Sequence, residues 1–321
     1  MEKISNFVLR LCFNNEILPY YHSPVINKLS SAQITPQTAP DYPKAIPTSL
    51  AEYDIPSYLE VSLNIEADTV KLKKVPQYKG YLIDLTRFGS VDELLSKTFG
   101  RNSRKNFRAK YRKLDEAHKI TYAFYFGAIP KPEYDRLFDL CYRLMHDRFR
   151  EKKIFNRFLP EWKWYYQLFY PKILRKEASI FVIYDEQKPI TMTLNFHRAD
   201  IVFSFIQIYD TDYSRYSMGD IAMYKNLEWC YNNQFTVWDT SKGATDNKER
   251  WSNHVYTFDH HIFYNTEDRL AALRTGLKAA IMEFKQWLRD KGVIGGVLQL
   301  DRIYYYTRKR QLKNAHWSEE N

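Results

Sequence analysis

Three apolar runs lie close together in the middle of the chain: SIFVIY (179–184), ITMTLNF (190–196) and IVFSFIQI (201–208). Only DEQKP and HRAD separate them. Strand runs with hairpin-length linkers predict an antiparallel meander of three strands. YLIDLT (81–86), ITYAFYF (120–126), FTVWD (235–239) and VYTFDHHIFY (255–264) predict further strands. Elsewhere the period lengthens to that of a helix. SVDELLSKTF (90–99) reads as a helix capped by Ser90, with Glu93 at the capping-box position. RNSRKNFRAKYRKLDEAH (101–118) carries the stripe Phe107, Tyr111, Leu114. Further helices are predicted at about 133–150, 160–176 and 217–233. A last one, at about 267–290, is predicted through Leu270, Leu273, Leu277, Ile281, Phe284 and Leu288.

Residues 19–58 break the pattern with prolines at 19, 24, 36, 40, 43, 47 and 56. Proline fixes φ and removes a donor, so this stretch is expected to be extended and loop-rich. From residue 120 the order is strand, two helices, three-strand meander, helix, strand, strand. That is an α+β pattern and not the βαβ alternation of a doubly wound sheet.

Composition adds bounds. At 45% hydrophobic residues, the 321-residue chain has enough apolar surface for a substantial core. Net charge is +10, which favours an anionic partner without choosing one. Cys12, Cys141 and Cys230 have no metal or redox spacing and read as buried, reduced thiols, which suits the cytoplasm. The first residues lack the apolar core and cleavage site of a signal peptide, and no apolar run is long enough to span a bilayer. His254, His260 and His261 fall near one strand, but adjacent histidines point to opposite faces, so no metal is expected.

The stretch YDTDYSRYSMGDIAMYKNLEWC (209–230) places one of only ten glycines where a strand gives way to a helix. A helix start offers free N–H groups and a positive dipole end, and glycine allows close approach. Ser217, Met218, Gly219 and Asp220 therefore either cradle a phosphate or merely begin a helix capped by Ser217.

Residues 209–251 resemble the GNAT acetyltransferase superfamily, and more narrowly its BioF2-like or CelD/BcsL-type domain, related to the FemABX peptidyltransferases. The similarity rests on Tyr209, Asp210, Tyr213, Tyr216, Ser217, Gly219, Asp239, Gly243, Lys248 and Trp251. Met218 stands where the pattern usually has proline. The basic run 101–116 resembles the helix that opens the same domain, and the whole likeness covers about 80–265.

The resemblance implies a GNAT fold: a mixed, mostly antiparallel sheet flanked by helices, with a second GNAT-like half as an option. It divides the chain into a proline-rich segment (1–80), an acyltransferase domain (81–265), and a C-terminal helix with a basic aromatic tail (266–321). It implies acetyl-CoA or another acyl-CoA as donor, with its pyrophosphate on residues 217–220. Lys248 is the further cofactor candidate. Acyl transfer to an amine needs a base and an acid. Asp239 is the candidate base or a structural partner of Lys248; Tyr209 or Tyr213 is the candidate acid. Arg104, Arg108 and Lys242 are candidates for binding an anionic, amine-bearing acceptor. Rival readings are an aminoacyl transferase using tRNA, and a non-catalytic RNA- or membrane-binding protein on the same scaffold. The expected location is cytoplasmic, with a membrane-peripheral position as the alternative.

Overall fold

The computed structural model describes residues 5–42, 46, 48–65, 69–294 and 304–307. Most of the expected basic aromatic tail lies outside them. In chain order the elements begin with α1 (Phe7–Asn14), β1 (Glu16–Ile17), β2 (Val25–Asn27), β3 (Gln33–Ile34), β4 (Gln37–Thr38), β5 (Ser49–Pro56), β6 (Leu59–Glu60) and β7 (Val70–Asp84). They continue with α2 (Val91–Thr98), α3 (Arg101–Ala117), β8 (Ile120–Tyr125), α4 (Lys131–Lys152), α5 (Trp162–Leu174), β9 (Ala178–Asp185), β10 (Lys188–Arg198) and β11 (Ile201–Tyr209). The last are α6 (Met218–Asn232), β12 (Val237–Lys242), α7 (Asp246–Trp251), β13 (His254–Asn265) and α8 (Arg269–Asp290).

The chain divides into two compact units. One comprises residues 87–197 and 202–238 together with 304–307. Its strands run β8–β9–β10–β11 across the sheet. β8 pairs antiparallel with β9, and β9 with β10. β9 and β10 are buried along almost their whole length: β9 reads as an unbroken apolar run, while β10 also buries Thr191, Thr193 and Asn195. α5 covers one face through Phe169, whose ring lies 4.5 Å from that of Phe196. α6 covers the other, where Asn226 accepts from Thr193. Ser90 caps α2 by accepting from the Glu93 amide, as the capping pattern predicts, while the Glu93 carboxylate reaches one residue further back and accepts from the Gly89 amide. The stripe of α3 also holds: Phe107 and Leu114 are buried, and Phe107 meets Tyr224 of α6.

The other unit comprises residues 5–86, 198–201 and 239 onward to 294. The proline-rich segment contributes α1 and the short strands β1–β4 and β6. β13 pairs antiparallel with both β5 and β7, and β12 lies beside β7. Gly80 is opposite Tyr256 in the β13–β7 pair. A Cβ at Gly80 would come within 2.2 Å of the Tyr256 ring, so the missing side chain is what lets that ring lie across the strand.

α8 packs on β7 and β13, but not through the expected stripe. Ala271, Thr275 and Ala279 are buried, with Ala279 against Val75 and Ile262. Leu270, Leu273, Leu277, Ile281 and Phe284 face solvent. Periodicity located the apolar face correctly, but small side chains permit the closer approach, so the opposite face docks. No described helix is long and apolar enough to cross a membrane.

Candidate functional site

The strand-to-helix junction is built by Tyr209, a short 3-10 turn over Thr211–Tyr216, and Ser217. The Asp210 side chain accepts from the Asp212 amide and starts the turn. Lys188 forms an ion pair with Asp210 at 2.7 Å. Tyr213 donates to Asp185 at 2.8 Å, and His118 Nδ1 meets the same carboxylate oxygen at 2.7 Å. With Nδ1–H directed at Asp185, His118 Nε2 accepts from the Tyr216 hydroxyl at 3.1 Å. Tyr216 in turn accepts from Arg215. Burial pushes the Asp185 carboxyl up, but the bonds from Tyr213 and His118 prevail and hold it below the usual range. Burial and the same carboxylate push the Tyr213 hydroxyl up to about 12, so it stays protonated as a donor. Asp185 and His118 therefore fasten the loop from the ends of β9 and α3. Sequence reading passed over both, because neither lies near the motif in the chain.

Ser217 adopts a left-handed backbone, φ 59° and ψ 51°. Its side chain makes no capping bond to α6, so it is not the ordinary helix cap. Its carbonyl accepts from the amides of Asp220 and Ile221. The amides of Met218 and Gly219 meet no acceptor among the described residues. Lys110, on α3, donates its Nζ to Ser217 Oγ at 2.7 Å. Gly219 sits inside the helix and accepts at its carbonyl from Gln207. The left-handed position thus falls on Ser217 and not on Gly219. Uncapped amides, the helix dipole and an ammonium converge here, a combination that suits an anionic group such as a phosphate.

A cleft of about 280 Å³ opens along β11 in the same unit. Met145, Phe149, Phe158 and Phe205 give it apolar walls, and Arg148 and Lys152 line it with cations. The Arg148 guanidinium also lies 4.9 Å from the centre of the Tyr209 ring.

Arg104 donates to the Ser96 carbonyl at 2.5 Å, and Arg108 stands 3.9 Å from Asp92, both toward α2. The residue of this basic helix that reaches the α6 start is Lys110.

In the other unit, Asp239 is 1% exposed. Its carboxylate accepts from the hydroxyls of Tyr58 and Tyr256 at 2.8 Å and from the Ser241 amide at 2.6 Å. Burial still raises its pKa. Lys248 donates to the Lys242 carbonyl, and burial lowers its pKa despite the opposing pull of Asp239. Lys242 pairs with Asp54 at 2.5 Å and lies 4.9 Å above the Tyr78 ring. Among the described residues, no three His, Cys, Asp or Glu side chains are grouped to hold a metal ion.

Residues 101–249 match the family model described as an acetyltransferase (GNAT) domain. The fold is of the GNAT class, α+β with a large mixed sheet flanked by helices. A search of curated proteins found no match. Among solved structures, a conserved protein of unknown function from Bacteroides thetaiotaomicron is 10% identical, with TM-score 0.42. The match covers 63% of this chain and 64% of that one, under two thirds of its length. A domain assigned to a lysylphosphatidylglycerol synthetase from Agrobacterium fabrum is 12% identical, with TM-score 0.45 over 72% of this chain and 71% of that one. FemX is 10% identical, with TM-score 0.43 over 56% and 61% of the two chains.

Proposed function

We propose that this protein is an N-acyltransferase that moves an acyl group from acyl-CoA to an amine. The observation that carries the reading is the uncapped start of α6, with Lys110 beside it. The amides of Met218 and Gly219 and the Lys110 ammonium would hold the donor's pyrophosphate. Asp185, His118 and Lys188 keep the preceding loop in shape, so little ordering is left to occur on binding.

The cleft beside β11 is the acceptor site in this reading. Its apolar walls and two cations suit an amine that carries an apolar portion and an anionic group. Tyr209 remains the candidate acid for the leaving thiolate, since Tyr213 is engaged with Asp185. Asp239 is assigned a structural role. A base must meet the incoming amine, and this carboxylate is enclosed by two tyrosines and an amide.

An aminoacyl-tRNA donor is the second reading, favoured by the exposed cations of α3, among them Arg108 and Arg112. Thermal-shift titration with acetyl-CoA, longer acyl-CoAs and tRNA separates the two. A ligand that binds the native state raises Tm. Stabilisation by CoA compounds alone supports the first reading, by tRNA alone the second, and by neither a non-catalytic scaffold.

A further inference from the structure

The outward face of α8 is an exposed apolar band that the acyl-transfer reading leaves unused. Leu270, Leu273, Leu277, Ile281, Phe284 and Trp287 are between 46% and 71% exposed. At 100° per residue they form one continuous band along the helix. The exposure does not come from loose docking. Asp268 caps the helix by accepting from the amides of Leu270 and Ala271. Gln77 donates to the Met282 carbonyl and accepts from Arg289, which fixes the rotation of the helix on β7.

Cations flank the band on both sides. Arg274, Lys278 and Lys285 follow one margin, where Lys278 reaches over the Tyr53 ring of β5. Lys71 and Lys73 of β7 are exposed on the other, with Glu283 4.0 Å from Lys73. An apolar helix face bordered by lysine and arginine fits a bilayer interface carrying anionic headgroups. In a two-fold pair of such faces, the cationic margin of one copy would lie over a cationic margin of the other. Charge complementarity therefore favours lipid over a second copy.

We propose that α8 docks this protein on the surface of an anionic membrane, with the Leu270–Trp287 band in the headgroup–acyl boundary and the lysines and arginines on the headgroups. The helix lies in the plane of the interface and does not cross it.

Flotation of the full chain with vesicles tests this. Vesicles of phosphatidylcholine with about one-third phosphatidylglycerol should carry the protein, and pure phosphatidylcholine should carry much less. Added salt should release it. Leu277→Glu with Phe284→Glu, and separately Arg274→Glu with Lys278→Glu, should each reduce binding about tenfold or more. These side chains are exposed, so an unchanged Tm is expected and confirms that the variants fold. Vesicle binding unaffected by either pair would assign the membrane contact elsewhere and overturn the proposal. So would absence of binding by the wild type, or a wild-type dimer in sedimentation that the Leu277→Glu and Phe284→Glu substitutions dissolve.

Discussion

Lys110 Nζ donates to Ser217 Oγ across 2.7 Å, which brings a cation from α3 to the first turn of α6. Removing the charge should weaken an anion held there. Lys110→Ala is expected to lower CoA affinity about five- to tenfold, roughly 1–1.4 kcal/mol, while Lys110→Arg retains most of it. Isothermal titration of both variants measures this. An unchanged Kd for the alanine variant would reduce Lys110 to a fastener of the loop.

Arg108 and Arg112 extend from the same helix into solvent, 69% and 72% exposed. Exchanging both for glutamate should leave CoA affinity within about twofold, since solvent-exposed charges are screened by salt. If tRNA binds, the same pair should weaken it strongly and flatten its salt dependence. Filter binding against a salt series reads the second effect. A parallel loss of CoA affinity would mean that the whole basic face serves the donor.

The contact between Gly80 and Tyr256 predicts a stability effect. Gly80→Ala places a methyl group in the ring of Tyr256, which must swing away and withdraw its hydroxyl from Asp239. Overpacking and a poorly satisfied buried carboxylate should together cost about 2–4 kcal/mol in urea unfolding. A loss under about 0.5 kcal/mol would show that the ring has room to move.

His261 supplies a pH dependence. Its Nδ1 lies 2.9 Å from the Tyr21 hydroxyl and accepts from it when the ring is neutral. Burial first, then Lys74 and His260, lower its pKa from 6.5 to about 4. The unfolded chain therefore takes the proton first. The stability contributed by neutral His261 is complete above about pH 6.5 and is lost as pH falls toward 4. Between pH 7 and ~4.5, the wild type should lose about 2–3 kcal/mol more than His261→Phe in urea unfolding. Equal losses would mean that His261 titrates normally.

Much of this fold is legible in the sequence because its strands and helices keep clean periods. The three-strand meander, the capping of α2 and the buried stripe of α3 all follow from local pattern. α8 shows the limit: a period reveals an apolar face but not what covers it, and here alanine and threonine take the inner side. The loop before α6 was legible as a motif, yet its fasteners Asp185 and His118 are remote in the chain. Ser217 looked like a side-chain cap and is instead a left-handed residue that leaves the first amides open. Residue type alone also could not show that Asp239 would be enclosed by Tyr58 and Tyr256.

A phosphate-bearing donor on the start of α6, as proposed, must lie close to the Gly219 backbone. A side chain there would then stand between the donor and the amides of Met218 and Gly219. Valine is no worse than glycine in a helix, so loss of α6 is not an expected confounder. Isothermal titration with CoA should show Gly219→Val binding about tenfold more weakly or worse, about 1.4 kcal/mol, with Gly219→Ala shifted less in the same direction and both Tm values preserved. CoA affinity unchanged by valine at 219, in a folded protein, would mean that the donor does not sit on the start of α6.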